Sequence, residues 1–432
     1  MKLIRLRYLA AFLTILAAVA LVAEWRKGCS AAEERPATTG WTETKVLRLG
    51  GLKVSLSKPV LVGRGKGHFW FPLIERLPNG EVIAMVGTEA DKARGQEEME
   101  AYTGAILWSA DGGLTWSQPK PGVGGRGLFL PSGDLLDVPF QLYLRPNGGM
   151  GAPYHVIPKG TREIKRVESG VTFTGFPYFL VPEYPSVCTF WVDGQIVKLR
   201  NGKYLAGVYG YYKDFPQQTL KSSGKGWYLA TTPDGGYKRK KLGLALAESR
   251  DGIRWERRAT IADENCPLKG EEGPCEDAIC RLKDGRLMCL FRMGSGVPYG
   301  QTWSSDEGKT WTTPIAASGP FSVEPSVVVM KDGTVIVAGG RPGIHLWFNT
   351  DGSGKDWQEI DTREHHNAFQ PEDPITDGWK NTTAYTALVA VDDTHLLYIY
   401  DRIAKGWDPV PKDSSETNSI WVMRITVRRA TP

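Results

Sequence analysis

The stretch AICRLKDGRLMCLF at residues 278–291 consists of two apolar segments on either side of the turn Lys283-Asp284-Gly285. Apolar segments that flank an Asp-Gly pair are typical of two antiparallel strands joined by a two-residue turn, because Asp and Gly tolerate positive φ angles. This stretch therefore predicts a β-hairpin.

The same pattern recurs along the chain, which indicates a repeated structural unit. Six hairpins are predicted, at Leu73–Met85, Gly127–Val138, Gln195–Val208, Ala278–Phe291, Ser326–Ala338 and Thr386–Tyr400. One such unit cannot bury both of its faces, whereas four-stranded sheets stacked around an axis bury them against one another. We therefore predict an all-β fold, a six-bladed β-propeller of four-stranded antiparallel blades.

A second motif lies between the hairpins. It reads SADGGLTW at residues 109–116 and SSDEGKTW at 304–311, is one residue shorter at 249–255, and is looser from Asn349 to Trp357. In such a turn the Asp and Ser side chains can bond neighbouring backbone N–H groups while the Trp packs between strands. We therefore interpret these residues as structural rather than catalytic.

The composition supports this fold class. A chain of 432 residues with 41% hydrophobic residues can bury a large core, and 50 Gly, 28 Pro and 15 Trp suit short strands joined by tight turns. The only dense basic cluster in the sequence, Lys238–Lys241, is more typical of a solvated loop than of a nucleic-acid site. Nucleic acid is therefore not an expected partner.

The N-terminus has the pattern of an export signal. Lys2, Arg5 and Arg7 precede an apolar run from Tyr8 to Ala23 that is short for a membrane span and ends in small residues. We predict a signal peptide at 1–23, a linker at 24–44, a propeller at 45–432, and a secreted or periplasmic protein without a membrane span after cleavage. An uncleaved signal anchor is the alternative. Cleavage would lower the formal charge from +5 to +2, because it removes three cationic and no acidic side chains.

Six cysteines in an exported chain permit disulfides. Cys266 and Cys275 flank a loop that they could close. Cys280 and Cys289 are spaced to face each other across a hairpin, where they could bond or pack as buried thiols. No CxxC pair or His-rich segment accompanies them, so we predict no metal site.

The turn motif resembles the Asp-box (BNR) repeat of the sialidase (neuraminidase) superfamily, and with the hairpins the resemblance covers residues 45–429. That superfamily includes glycosidases, binding proteins and inactive relatives, so the resemblance implies a glycan ligand. A sialidase substrate has a carboxylate on its anomeric carbon. A neutral Tyr activated by a Glu therefore serves as nucleophile, arginines hold the carboxylate, and a separate Asp acts as acid and base.

Four residues correspond to this pattern. Tyr385, at the start of the last hairpin, corresponds to the nucleophile, and Glu276, which opens the strand before Asp284, corresponds to its partner. Arg292 ends the return strand of that hairpin, and Arg341 follows the return strand of the next, which makes them the candidate carboxylate-binding arginines. The alternatives are a core Tyr, an ordinary surface ion pair and a plain turn Arg.

Two parts of the pattern are missing. Trp70, in the segment Phe69-Trp70-Phe71-Pro72, stands where the family has its first Arg, and losing one charge-assisted bond weakens carboxylate binding by about one to two orders of magnitude. Trp70 could instead stack on a sugar face. The acid/base Asp is also absent from its usual place, and Asp91 and Glu98 in the acidic segment upstream are the candidates for this role.

We therefore predict an exported exo-glycosidase that needs no cofactor and hydrolyses a terminal acidic sugar, sialic acid or a related residue, by a retaining Tyr/Glu mechanism. The alternatives are a non-catalytic glycan-binding propeller and a glycosidase or lyase of another specificity. Each requires Tyr385, Glu276, Arg292 and Arg341 to converge at one axial opening.

Overall fold

The regular secondary structure of the described residues is almost wholly β-strand. A computed structural model describes residues 40–91, 104–122, 124–145, 149–176, 190–211, 220–222, 228–231, 237–239, 241–263 and 265–430. Residues from Trp41 onward belong to one compact unit. The strands of its first half are β1 Glu43–Leu49, β2 Leu52–Ser57, β3 Val60–Gly65, β4 Trp70–Arg76, β5 Val82–Gly87, β6 Gly104–Ser109, β7 Lys120–Gly122, β8 Arg126–Phe129, β9 Leu135–Val138, β10 Gln141–Leu144, β11 Met150–Ile157, β12 Lys165–Thr174, β13 Phe190–Trp191, β14 Val197–Lys198 and β15 Tyr204–Gly210.

The second half continues the pattern and adds a short helix. Its elements are β16 Leu220–Ser222, β17 Tyr228–Thr231, β18 Tyr237–Arg239, β19 Gly243–Ser249, β20 Arg254–Ala262, β21 Cys275–Arg281, β22 Leu287–Arg292, β23 Pro298–Ser304, β24 Ile315–Phe321, β25 Ser326–Val329, β26 Val335–Gly339, β27 His345–Asn349, β28 Gln358–Asp361, α1 Arg363–Phe369, β29 Ala387–Ala390, β30 His395–Arg402 and β31 Asn418–Arg429.

All six predicted hairpins are present as antiparallel pairs: β4–β5, β8–β9, β14–β15, β21–β22, β25–β26 and β29–β30. The prediction of two-residue turns is wrong for β21–β22. The N–H of Gly285 donates to the carbonyl of Leu282 (2.9 Å), and the N–H of Leu282 donates to Arg286 (2.8 Å), which leaves three residues in the loop. Gly285 has a φ of 95°, the left-handed conformation that closes such a loop.

Hydrogen bonding groups the strands into sheets of unequal size. In the part of the chain that the structure describes, β4–β7, β21–β24 and β25–β28 each form a four-stranded sheet, while β16–β18 form a three-stranded one. The second and third hairpins share one ten-stranded sheet, because β12 and β20 pair in parallel and β10 pairs with both β11 and β13. Six separate four-stranded sheets are therefore not observed, and the division into six blades stays a prediction.

In the sheets that carry the six hairpins, apolar side chains alternate between the two faces, so both faces are buried. On β22, Cys289 and Phe291 belong to a core cluster shared with β15 and β19, whereas Met288 belongs to another shared with β25 and β26. Similar clusters join every consecutive pair of hairpins, and the one between the last and the first includes Leu397 and Val82. The clusters therefore form a closed cycle, which supports a propeller-like arrangement within the confirmed all-β class.

The described beginning and end of the chain meet in one sheet. β31 pairs with β30 on one side, and on the other with β2 and β3, where Leu56 lies opposite Ile425 and Val60 opposite Val422. The early strands therefore complete the sheet that the last hairpin begins. This pairing closes the cycle and leaves fewer open strand edges.

The Ser-x-Asp turns make the predicted backbone contacts. Ser304 Oγ accepts a hydrogen bond from the N–H of Gly308 (2.8 Å), and Asp306 Oδ1 accepts one from the N–H of Thr310 (2.9 Å). These bonds, led by that from Thr310, lower the pKa of Asp306 to about 2. The same contacts recur at residues 109–116, so the motif stabilises corners between strands.

The four cysteines in the described residues are free thiols, including Cys266 and Cys275. The prediction that Cys280 and Cys289 face each other is wrong, because Cys289 lies opposite Ile279 and the two thiols belong to core clusters on opposite faces of the hairpin. Their alternative role as buried thiols is what the structure shows.

The predicted signal peptide at 1–23 and most of the predicted linker at 24–44 lie outside the described residues. β1 begins at Glu43, within the last residues of that linker. None of the helices in the described ranges has the length and apolar character needed to cross a membrane.

We expect Asp306→Ala to lower the free energy of unfolding by about 1–2 kcal/mol, because the turn loses a charged acceptor for two backbone N–H groups. Denaturant titration at neutral pH measures this change. Asp413→Ala, at an exposed carboxylate, should stay within about 0.5 kcal/mol of the wild type. Equal stability of the two variants would contradict the role of the turn.

Candidate active site

The first strands of several hairpins lie next to one another, which brings distant parts of the chain together. β21 contacts β15 and β25, and β25 and β4 both contact β29. Glu276 lies at the start of β21, and Tyr385 lies two residues before β29. Arg292 and Arg341 end or follow the return strands β22 and β26, so all four residues lie at the same end of the sheets.

Backbone conformation marks this end of the sheets as unusual. Four non-glycine residues here have left-handed φ angles: Phe71 (49°), Glu276 (30°), Arg341 (89°) and Ala384 (60°). Shifts in strand register at Trp70/Leu73 and Cys275/Asp277 show that Phe71 and Glu276 lie in β-bulges. Non-glycine residues held in this region carry strain, and they concentrate at functional sites.

Tyr385, Glu276 and Arg292 form one hydrogen-bonded cluster. Tyr385 Oη donates to Glu276 Oε1 at 2.6 Å, and Arg292 Nη1 donates both to that carboxylate oxygen (2.6 Å) and to Tyr385 Oη (2.9 Å). The backbone N–H of Glu324 binds the other oxygen, Glu276 Oε2, at 2.9 Å. The carboxylate is thus oriented to accept the phenolic proton.

Arg292 is surrounded by acidic and polar protein groups. Its Nε and Nη2 atoms lie 2.8 Å and 2.9 Å from the two carboxylate oxygens of Glu272, in addition to the contacts with Glu276 and Tyr385. Nη2 also donates to Ser295 Oγ (3.2 Å). Two carboxylates therefore neutralise this guanidinium before any ligand binds, and the contact with Glu272 is one that the sequence did not predict.

Arg341 is held by a backbone carbonyl and a serine, and its positive charge is less neutralised than that of Arg292. Its Nε and Nη2 donate to the carbonyl of Thr383 (3.2 and 2.6 Å), and Nη1 donates to Ser295 Oγ (3.4 Å). The guanidinium lies 5.4 Å from the centroid of the Tyr385 ring and 4.9 Å from that of Trp407. None of these contacts with described residues is a carboxylate, so within that part of the chain Arg341 keeps more of its positive potential than Arg292.

Asp401, at the end of β30, positions Tyr385, and sequence reasoning missed it. Its Oδ1 accepts hydrogen bonds from Thr382 Oγ1 (2.9 Å) and the N–H of Thr383 (2.8 Å), and its Oδ2 accepts one from the N–H of Phe71 (3.2 Å). The Phe71 ring packs edge-on against Tyr385, 4.7 Å between centroids. The one sequence signal was an Asp that ends the apolar run of β30.

Electrostatics keep the phenol neutral at rest. Burial, and then the negative charge of Glu276, raise the pKa of Tyr385 well above its usual value, while Arg292 and Arg341 act in the opposite direction. Tyr385 therefore holds its proton until the neighbouring carboxylate removes it during a reaction.

Of the two candidates for the acid/base residue, only Asp91 lies within the described residues. Asp91 is exposed, and its charge acts on both Tyr385 and Arg341, so it lies beside the cluster. Glu98 lies outside the described residues.

The position of Trp70 contradicts the predicted sugar contact. Only 1% of Trp70 is exposed, because it stacks on His68 (4.3 Å between centroids) and its Nε1–H donates to the carbonyl of Glu89 (3.0 Å). A sugar cannot reach its faces. Phe71, the next residue, occupies the position beside Tyr385 instead.

A second cluster of ionisable residues lies beside the one formed by Tyr385, Glu276 and Arg292. Arg126 on β8 forms an ion pair with Glu324, and the charges of Asp193, Glu75 and Asp277 also act on it. These four carboxyls come from four different hairpin units, and burial raises the pKa values of Asp193, Glu75 and Asp277. No cluster of His, Cys, Asp and Glu within the described ranges is arranged to hold a metal ion.

Asp277 is the least satisfied of these carboxyls. It is fully buried, and neither carboxyl oxygen accepts a hydrogen bond from another residue. It fills the space beside Gly194 and Gly207, where a Cβ on Gly207 would lie 1.9 Å from Asp277 Oδ1. Burial raises the pKa of Asp277 to about 7, although the Arg126 guanidinium opposes the shift.

Several solved structures share this fold at low sequence identity. A protein of unknown function from Dyadobacter fermentans is 18% identical, with a TM-score of 0.58 over 88% of this chain and 100% of that chain. The Hadza microbial sialidase Hz136 is 12% identical (TM-score 0.53, 84% of this chain and 66% of that one). The phage phi92 endosialidase is 10% identical (TM-score 0.52, 85% and 69%). No protein-family model and no curated protein matches the chain in sequence. At these identities the similarity shows the fold alone.

Asp277 has a higher pKa in the folded than in the unfolded chain. Between these two pKa values the folded chain binds one more proton than the unfolded chain, so we expect the free energy of unfolding to fall as the pH rises. At about 1.4 kcal/mol per pH unit, Asp277 alone contributes a fall of roughly 2–3 kcal/mol between about pH 5 and about pH 7.5. Denaturant titrations across this range should show a smaller fall in Asp277→Asn. The exposed-site control Asp413→Asn should keep the wild-type slope, and an unchanged slope in Asp277→Asn would show that Asp277 is ionised in the folded protein.

Proposed function

We propose that the protein is a retaining exo-glycosidase that removes a terminal acidic sugar, sialic acid or a related residue, from a glycan. The observation that carries the proposal is the 2.6 Å hydrogen bond from Tyr385 Oη to Glu276 Oε1, with Arg292 Nη1 in contact with both oxygens. A phenol paired with a carboxylate and an arginine is the nucleophile arrangement that the resemblance to sialidases implies.

In the first step, Tyr385 Oη attacks the anomeric carbon as Glu276 takes the phenolic proton. A bond forms between Oη and that carbon, the glycosidic C–O bond breaks, and an acid protonates the departing oxygen. Asp91 is our candidate for this acid, because its charge reaches Tyr385 while its side chain remains exposed to the leaving group.

In the second step, water attacks the anomeric carbon and releases Tyr385, which recovers its proton from Glu276. Asp91, now ionised, accepts the proton of the water. Two inversions at one carbon give net retention of configuration. Arg292 stabilises the phenolate oxygen as it forms, because its Nη1 already points at Oη.

Arg341 is our candidate for the group that binds the carboxylate of the sugar. The residue is 8% exposed, and among the described residues its direct hydrogen bonds go to Thr383 and Ser295, whereas Arg292 pairs with two carboxylates. A neutral phenol also approaches an anomeric carbon that carries a carboxylate without the repulsion that a carboxylate nucleophile would meet.

The pairing of Arg292 with both Glu272 and Glu276 favours a second candidate, hydrolysis of a neutral sugar. The buried Trp70 stands where the family pattern has its first arginine, so an acidic sugar would have Arg341 as its main cationic contact. The same chemistry of the Tyr385–Glu276 pair would then act on a substrate without a carboxylate.

We expect Tyr385→Phe to lower kcat by at least about a thousand-fold and Glu276→Gln by about a hundred-fold or more, because the first loses the nucleophile and the second its base. The measurement is turnover of an aryl sialoside and of a panel of neutral 4-nitrophenyl glycosides. Tyr400→Phe is the matched control, since Tyr400 is also buried and hydrogen-bonded, to His366 (2.9 Å). Unchanged turnover in Tyr385→Phe would eliminate the mechanism, and glycan binding without turnover by the wild type would identify a binding protein.

Arg341→Met should distinguish the two substrate classes. For an acidic sugar the KM should rise by about ten- to a hundred-fold, because a charge-assisted hydrogen bond is lost, whereas the KM for a neutral glycoside should change much less. Arg286→Met is the control, because Arg286 pairs with Asp284 in a hairpin turn. Equal effects of Arg341→Met on acidic and neutral substrates would argue against a carboxylate contact.

A further inference from the structure

Two tryptophans beside the candidate active site are exposed to solvent. Among the described residues, the large apolar side chains that are more than a third exposed are Val46, Leu61, Ile315, Trp379 (47%) and Trp407 (37%). Of its two aromatic members, Trp407 lies next to two residues that contact Tyr385, and Trp379 lies next to Gly296, the neighbour of Ser295, which binds both arginines. Exposed apolar side chains are ordinary when they are scattered, but their concentration at one site indicates a ligand.

Trp407 contacts the cluster through two residues. Its ring lies 4.9 Å from the Arg341 guanidinium and 5.9 Å from the Phe71 ring centroid. Both of these residues in turn touch the Tyr385 ring. Trp407 is thus one residue removed from the proposed nucleophile and still open to solvent.

Trp379 is connected through Ser295 and Gly296. Gly296 has a φ of 71°, and a Cβ added there would lie 3.1 Å from the edge of the Trp379 ring, so the ring packs closely over this glycine. The neighbouring Ser295 Oγ accepts hydrogen bonds from Arg292 and Arg341. The Trp379 ring therefore lies next to the segment that joins the two arginines.

The backbone holds Trp379 in this exposed position. Its N–H donates to Asp377 Oδ1 (2.9 Å), and the N–H of Asn381 donates to the carbonyl of Asp377 (2.8 Å). The N–H of Gly343, two residues after Arg341, donates to the carbonyl of Gly378 (3.0 Å). The turn that carries Trp379 is thus tied to the segment that carries Arg341.

We infer that Trp379 and Trp407 are stacking platforms for sugar rings of an oligosaccharide, and that the ligand extends beyond its terminal sugar. A fixed, exposed indole offers an apolar face to the C–H face of a sugar, while Ser295 and Arg341 lie close enough to bind its hydroxyl groups. Two isolated rings separated by polar groups suit such a ligand better than the continuous apolar patch of a protein interface. The inference rests on the proposed glycan substrate but not on catalysis.

Binding to a glycan array tests this inference in the Tyr385→Phe background, where turnover cannot remove the ligand. We expect Trp379→Ala and Trp407→Ala each to weaken binding of the best oligosaccharide by about ten-fold or more, as truncation of a central aromatic contact does. Ile315→Ala is the matched control, because Ile315 is equally exposed (48%). It should bind like the parent.

The outcomes separate this inference from the proposed function. Tryptophan-dependent glycan binding by a protein without glycosidase activity would uphold the platforms and overturn catalysis. Binding that is unchanged in both tryptophan variants, with circular dichroism showing intact folds, would overturn the platforms. The absence of any glycan bound by the parent would overturn them as well.

Discussion

Burial of both faces of the sheets that carry the hairpins is the constraint on which this structure depends. Strands such as β22 send alternate apolar side chains into two different core clusters, so a sheet alone would expose two apolar faces to water. A row of such sheets would still expose a face at each end. The closed cycle of clusters removes both ends, and the pairing of β31 with β2 joins the described beginning and end of the chain in one sheet.

The closed cycle also explains where the candidate site lies. First strands from different hairpins meet at the centre, so the ends of those strands bring together residues that are about 100 positions apart, such as Glu276 and Tyr385. The bulges at Phe71 and Glu276 and the hydrogen bonds to Asp401 then direct the side chains towards one another. The positive φ angles of Phe71 and Glu276 show that this arrangement strains the backbone locally.

The charges of the site are arranged differently from the sialidase pattern. Arg292 lies between Glu272 and Glu276, and Trp70 fills core space instead of providing a third cation. Arg341, Ser295 and the exposed indoles then make up much of the surface that a ligand meets. The Tyr385–Glu276 pair and this surface are separate features, so the chemistry and the specificity of the protein can be examined independently.

The sequence by itself determined the all-β class, the six hairpins and the corner turns, because each depends on residues that are close in the chain: alternating apolar side chains, a glycine in the left-handed region, and a Ser or Asp that bonds its own turn. It also identified Tyr385, Glu276, Arg292 and Arg341 as residues to examine, from their places in the hairpins and a family resemblance. Only the tertiary structure decided that Glu272 neutralises Arg292, that Asp401 fixes the Tyr385 segment, that Trp70 is buried and that Trp379 and Trp407 are exposed. It also showed that two hairpin units share one sheet and that Cys280 and Cys289 point apart. The physical reason is that ion pairing, burial and strand register arise between segments far apart in the chain, whose distances no local pattern fixes.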